Sequence, residues 1–298
     1  MDQLRERELI SWTASRIWLT AVFLVAGAFC AVAQVSTPSE NAVIAIDYYE
    51  PRDPDLLPLY QKMRQRRVLQ ELSQFLAAVQ WPKTLRLLMK ECPEGTAGPE
   101  VFYTPIEYSL TICYQWLRFL ETLQPPASFA TRQEVIVGGL LGIVLHEAAH
   151  AVFDMLKVSR FGAEEDAADQ LASFVALQFG KDVARTVVKG TYYVWDTYDY
   201  YIRTNNKQYN YASASSVAPQ RAYNTLCIAY GGDLEVFKDL VEKGLLDHVL
   251  PSARAGNCMD EYQQVAKAFG KTIAPHLNKE LMRRALRTDW LLPEDLQR

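Results

Sequence analysis

The stretch Val135-Ile136-Val137-Gly138-Gly139-Leu140-Leu141-Gly142-Ile143-Val144-Leu145-His146-Glu147-Ala148-Ala149-His150-Ala151-Val152-Phe153 is apolar except at three positions, which spell an H-E-x-x-H pattern. Upstream, after Pro125-Pro126, Thr131-Arg132-Gln133-Glu134 has the form of a capping box; downstream, Gly162 lies just past a basic end at Lys157 and Arg160. One long buried helix, Val135 to Leu156, is therefore expected. Histidines four residues apart share a helical face about one turn apart, so both rings reach one zinc ion at roughly 2.0–2.1 Å. Glu147, about 100° around from His146, stays free to work on water. Burying these three groups without partners costs several kcal/mol, so a reading as plain core residues needs partners that a metal supplies directly. His146 and His150 are the expected ligands and Glu147 the general base and acid.

A catalytic zinc takes three protein ligands and keeps one position open. The third is sought in Gly162-Ala163-Glu164-Glu165-Asp166-Ala167-Ala168-Asp169-Gln170-Leu171, which opens a second helix running through Phe179 and stopping at Gly180. Carboxylates in a first helical turn also favour the macrodipole, which accounts for Glu164 and Asp166. Glu165 and Asp169 share a face in register with Leu171, Ala172 and Val175. Glu165 is thus the expected third ligand, with Glu164 its competitor, and Asp169 the acceptor for the second ring nitrogen of a ligand histidine. His248 and His276 are isolated in sequence.

An H-E-x-x-H helix followed by Glu-Glu-Asp-Ala-Ala-Asp resembles a family of bacterial metallopeptidases catalogued as a domain of unknown function and similar to the gluzincin zinc peptidases. Further matches are Glu91-Cys92, Leu110-Thr111-Ile112-Cys113-Tyr114, Gln220-Arg221 with Asn224, Cys227, Tyr230 and Gly231, and Cys258 before Glu261-Tyr262. They span about residue 42 to 270. Ala148-Ala149 stands where many members have Leu-Gly; neither is a ligand, so the chemistry is untouched. The resemblance implies a zincin-like fold and site but no substrate. It also implies a small sheet over the motif helix whose edge strand pairs with extended substrate, and it nominates the strand Glu107 to Cys113 for that part.

The expected fold class is α+β, with a small N-terminal mixed sheet packed over the motif helix and a mainly helical C-terminal half. Strands are expected at Ala42 to Tyr49, Thr84 to Met89, Val101 to Tyr103 and Ser109 to Tyr114, and a long helix from Leu56 to Val79. The tyrosine-rich stretch from Thr191 to Tyr211, with Tyr192, Tyr193, Tyr200 and Tyr209, reads as a helix packed on the core or as a cleft lining. It yields no assigned oxyanion donor, and Asn205 to Gln220 reads as a lid or a plain connection.

Residues 1–33 are expected to be a signal peptide or an N-terminal anchor: Arg5, Arg7 and Arg16 precede an apolar run from Ile17 to Ala33, ending in Ala31-Val32-Ala33. The run is slightly short for a membrane span, which favours cleavage. Residues 34–41 form a linker and 42–298 one zincin-like domain, exported to the periplasm or secreted, with membrane attachment only through the leader. Beyond Cys30, four cysteines remain, an even number suited to an oxidising compartment. Of three connectivities, proximity favours Cys92 with Cys113 and Cys227 with Cys258. A zinc-ligand role for them is weaker, because none forms a C-x-x-C pair. The net charge of −4 argues against a nucleic-acid partner. The expected protein is an exported zinc metallopeptidase with one catalytic Zn²⁺ and a peptide or protein substrate. Its rivals are a zinc hydrolase of a non-peptide substrate and a non-catalytic binding scaffold.

Overall fold

The structure, a computed structural model, describes residues 44–93, 101–205, 207–239 and 250–286. The leader, the linker and His248 lie outside these residues. Strands β1 (Ile44–Tyr48), β2 (Leu85–Lys90), β3 (Val101–Thr104) and β4 (Ser109–Cys113) form one mixed sheet in the order β1-β2-β4-β3. The pairs β1–β2 and β2–β4 are parallel and β3–β4 is antiparallel. The register puts Ile44, Ile46 and Tyr48 beside Leu85, Leu87 and Met89, then Leu110 and Ile112, then Tyr103 and Val101. Strand side chains alternate between faces, so this single face collects the apolar set and joins the core.

Two details depart from the sequence expectation. The helix expected from Leu56 to Val79 is two helices, α1 (Leu57–Gln65) and α2 (Val68–Leu76), separated by Arg67 in the left-handed region at φ 54°. The break re-aims the chain, so α2 lays Val68, Leu69, Leu72 and Leu76 into the core and packs on β1 and β2. The strand nominated as the sheet edge, β4, is internal. Tyr108, at φ 48°, closes a turn that folds β3 back onto the free side of β4, so β3 is the edge.

Helix α3 (Tyr114–Thr122) leads to α4 (Arg132–Met155), whose capping box is present: Thr131 Oγ1 accepts from the Glu134 amide at 3.1 Å, and Glu134 Oε2 accepts from the Thr131 amide at 2.7 Å. Helix α4 is long and apolar enough to cross a membrane, but most of it is buried in the protein, as a core helix is. Helix α5 (Glu164–Ala176) runs into a 3₁₀ turn ending at Phe179, and Gly180, at φ 86°, starts α6 (Lys181–Thr204). Then follow α7 (Ala218–Gly232), α8 (Cys258–Thr272) and α9 (Lys279–Ala285). The tyrosine-rich stretch is the C-terminal half of α6 up to Thr204, with Tyr192 buried and Tyr200 exposed, while Tyr209 lies beyond the helix.

Helices α4 and α6 meet backbone to backbone. A Cβ on Gly190 would lie 2.4 Å from the Gly139 amide nitrogen, and one on Gly138 would lie 1.9 Å from the Thr186 carbonyl oxygen. The glycines that weaken α4 as a helix are what let α6 approach it. Cys92 and Cys113 are at disulfide distance with Cα atoms 5.5 Å apart; Cys227 and Cys258 likewise, at 4.9 Å. The first pair ties the ends of β2 and β4, the second ties α7 to α8.

Candidate metal centre

Helix α4 presents His146 and His150 toward the N-terminal turn of α5. The two Nε2 atoms are 3.2 Å apart. Glu165 of α5 faces both rings with one carboxylate oxygen each, Oε2 3.3 Å from His146 Nε2 and Oε1 3.4 Å from His150 Nε2. With one ligand atom taken from each residue, the three lie within 4.8 Å of one another, close enough for a single metal ion to be held among them.

Ring chemistry makes the same demand. His146 Nδ1 lies 2.8 Å from Asp169 Oδ1, and His150 Nδ1 lies 2.9 Å from Glu164 Oε1. A neutral imidazole that donates from Nδ1 carries a bare lone pair at Nε2. Two such lone pairs and the Glu165 carboxylate therefore converge with no donor among them, and a cation satisfies all three. In the metal-free chain a proton takes that part: burial alone would lower the His146 pKa, but the hydrogen bonds to Asp169 and Glu165 outweigh it and push it up to about 9. The hydrogen bond from His146 holds the Glu165 carboxyl below its ordinary range. Burial works against ionised Asp169, yet hydrogen bonds from His146 and Arg221 keep its carboxyl low as well.

Glu147 stands beside this cluster with Oε1 3.9 Å from His146 Nε2. Its Oε2 accepts from the Tyr103 backbone N–H of β3 at 2.8 Å, so that amide is turned away from β4 and onto the motif helix. The Tyr103 hydroxyl donates to Asp154 Oδ2 at 2.9 Å, fixing the edge strand along α4. Burial raises the Glu147 pKa despite the nearby histidines and the Tyr103 amide. A base held by one oxygen, with the other turned toward the cluster, can exchange a proton with a molecule bound there.

A family model described as "Putative metallopeptidase" matches residues 48–272, well over half of the chain. The chain belongs to this metallopeptidase family. No curated protein and no solved structure matches it.

The structure thus brings together His146, His150, Glu165, Glu147 and Asp169, and His146, His150 and Glu165 are a group able to hold a metal ion. His276 lies apart in a 3₁₀ turn between α8 and α9. Glu164 has a larger part than the helix-end carboxylate expected of it, since it holds His150 and pairs with Arg160. Arg221 had no assigned role in the sequence. Its signal was there: a basic residue in the first turn of α7 opposes the helix dipole and needs a compensating acid.

Proposed function

We propose that this metallopeptidase is an exported zinc-dependent peptidase. The observation that carries the reading is the convergence of His146 Nε2 and His150 Nε2, 3.2 Å apart, on the Glu165 carboxylate, whose two oxygens lie 3.3 and 3.4 Å from the respective rings, beside an ionisable Glu147. His146, His150 and Glu165 would hold the ion and leave a fourth direction open. Bound zinc supplies a Lewis acid for a carbonyl oxygen and lowers the pKa of water toward about 7. Glu147 accepts the attacking water's proton on Oε1 as the new C–O bond forms, then delivers it to the amide nitrogen as the C–N bond breaks. The Tyr103 amide keeps Oε2 occupied, so the transferred proton sits on the oxygen that faces the reaction. Burial raises the Glu147 pKa, the direction that makes its carboxyl a better proton acceptor. β3 is an edge strand next to Glu147, and although Glu147 already holds its Tyr103 amide, the edge position supports an extended peptide as the substrate. Export is supported by the basic-then-apolar leader and by two cysteine pairs at disulfide distance.

The test is hydrolysis of a mixed peptide library by the mature chain and by Glu147→Gln, each with chelator and with zinc restored. Cleavage by wild type alone, lost with chelator and regained with zinc, is the expected result. Zinc-loaded wild type that cleaves no peptide but hydrolyses esters would move the activity to the non-peptide rival.

A further inference from the structure

Behind the cluster, on the side away from Glu147, one cation is built into the site. Arg221 donates from Nε to Asp169 Oδ2 at 2.6 Å and from Nη2 to Oδ1 at 2.7 Å, a two-bond fork on a single carboxylate. Its guanidinium carbon lies 3.8 Å from the ring centre of Trp195 on α6. Both charged side chains are nearly out of solvent, at 10 % exposure for Arg221 and 6 % for Asp169. A buried arginine in the first turn of a helix is unfavourable by position as well as by desolvation, so the fork and the aromatic face are what keep it there.

We infer that Arg221 is a positioning residue of the metal centre, acting on His146 through Asp169 and by direct contact, its Nη2 lying 3.4 Å from His146 Nδ1. Asp169 Oδ1 serves both Arg221 and His146 Nδ1. With both carboxylate oxygens held by the fork, Asp169 cannot turn, and the His146 ring is fixed with Nε2 toward His150 and Glu165. The inference rests on the metal reading above. The other histidine supplies a contrast: Glu164 and Arg160 hold His150 in the same order, but at 43 % and 27 % exposure. Water can replace Arg160 there, whereas nothing replaces Arg221 in its dry pocket. Lysine is no substitute for Arg221, because it has neither the planar fork nor a flat face for Trp195.

The experiment measures zinc affinity by competition with a chromophoric chelator, and the visible spectrum of the Co²⁺-loaded protein, for wild type, Arg221→Lys, Trp195→Leu and Arg160→Lys. Arg221→Lys is expected to weaken zinc binding about 10–100-fold and to alter the cobalt spectrum. Trp195→Leu should move both in the same direction by less, and Arg160→Lys should stay within a few-fold of wild type. Circular dichroism and melting of the metal-free proteins separate a folding loss from a site effect, and Trp195→Leu carries the test if Arg221→Lys does not fold. Folded Arg221→Lys with wild-type zinc affinity and cobalt spectrum overturns the inference alone. Wild type that binds no zinc overturns the metal reading, and the inference with it.

Discussion

At the residue scale, Glu147 combines opposed demands. The proposed reaction uses its carboxylate, but burial makes the charge unfavourable in the metal-free protein and raises its pKa above the ordinary 4.5. For an acid raised on folding, the penalty is absent below the unfolded pKa, grows as pH rises from there and is complete above the folded pKa. Glu147→Gln keeps an oxygen for the Tyr103 amide and removes the charge. The metal-free variant is therefore expected to melt a few degrees above wild type at pH 7, with the gap closing as pH falls through 4.5. Thermal melts of the two proteins across pH 4 to 8 check this. A variant that melts at or below wild type at pH 7 contradicts it.

At the element scale, α4 carries the motif and α6 supports it through glycine contacts. Gly190→Ala would gain up to about 1 kcal/mol of helix propensity but forces a methyl group within 2.6 Å of the Gly138 and Gly139 backbone, which no side-chain rotation can relieve. Overpacking of this kind costs about 1–3 kcal/mol, so the net change is a loss, read as a lower denaturant midpoint. Gly270→Ala on α8 meets nothing within 4 Å and should instead stabilise. The same change at two helical glycines thus has opposite signs, and two losses would mean that α4 and α6 do not meet this way. Much at this scale was legible in sequence. The Thr131–Glu134 box, the stop at Gly180 and all four strands follow from local chemistry. What was not legible depends on partners distant in sequence. The Arg67 break answers to where β1 and β2 lie, the edge position of β3 to which side of β4 remains free, and the Arg221 fork to a carboxylate some fifty residues earlier.

At the scale of the whole molecule, a small sheet and a helical half share one core, with the cysteine pairs tying each part internally. The Cys227–Cys258 pair joins α7, which bears Arg221, to α8, across 31 residues. Loop-closure entropy for that length corresponds to about 3–4 kcal/mol. Replacing both cysteines by alanine is expected to lower unfolding free energy by that order in urea titrations, and thiol titration of the denatured, unreduced mature chain should find no free thiol. Four titratable thiols would remove the disulfides and one support for export. The site's legibility follows from the same division. His146, Glu147, His150, Glu165 and Asp169 sit on two consecutive helices, where spacing reports geometry, while the Glu164–His150 contact depends on how the segment between α4 and α5 turns.

The central claim is that His146, His150 and Glu165 hold one zinc ion, and it is tested most directly by metal content of the purified mature chain beside Glu165→Ala and Glu164→Ala. About one zinc per chain in wild type, most of it retained in Glu164→Ala and most of it lost in Glu165→Ala, is the predicted result. No zinc in wild type, or equal zinc in the two variants, would contradict the account.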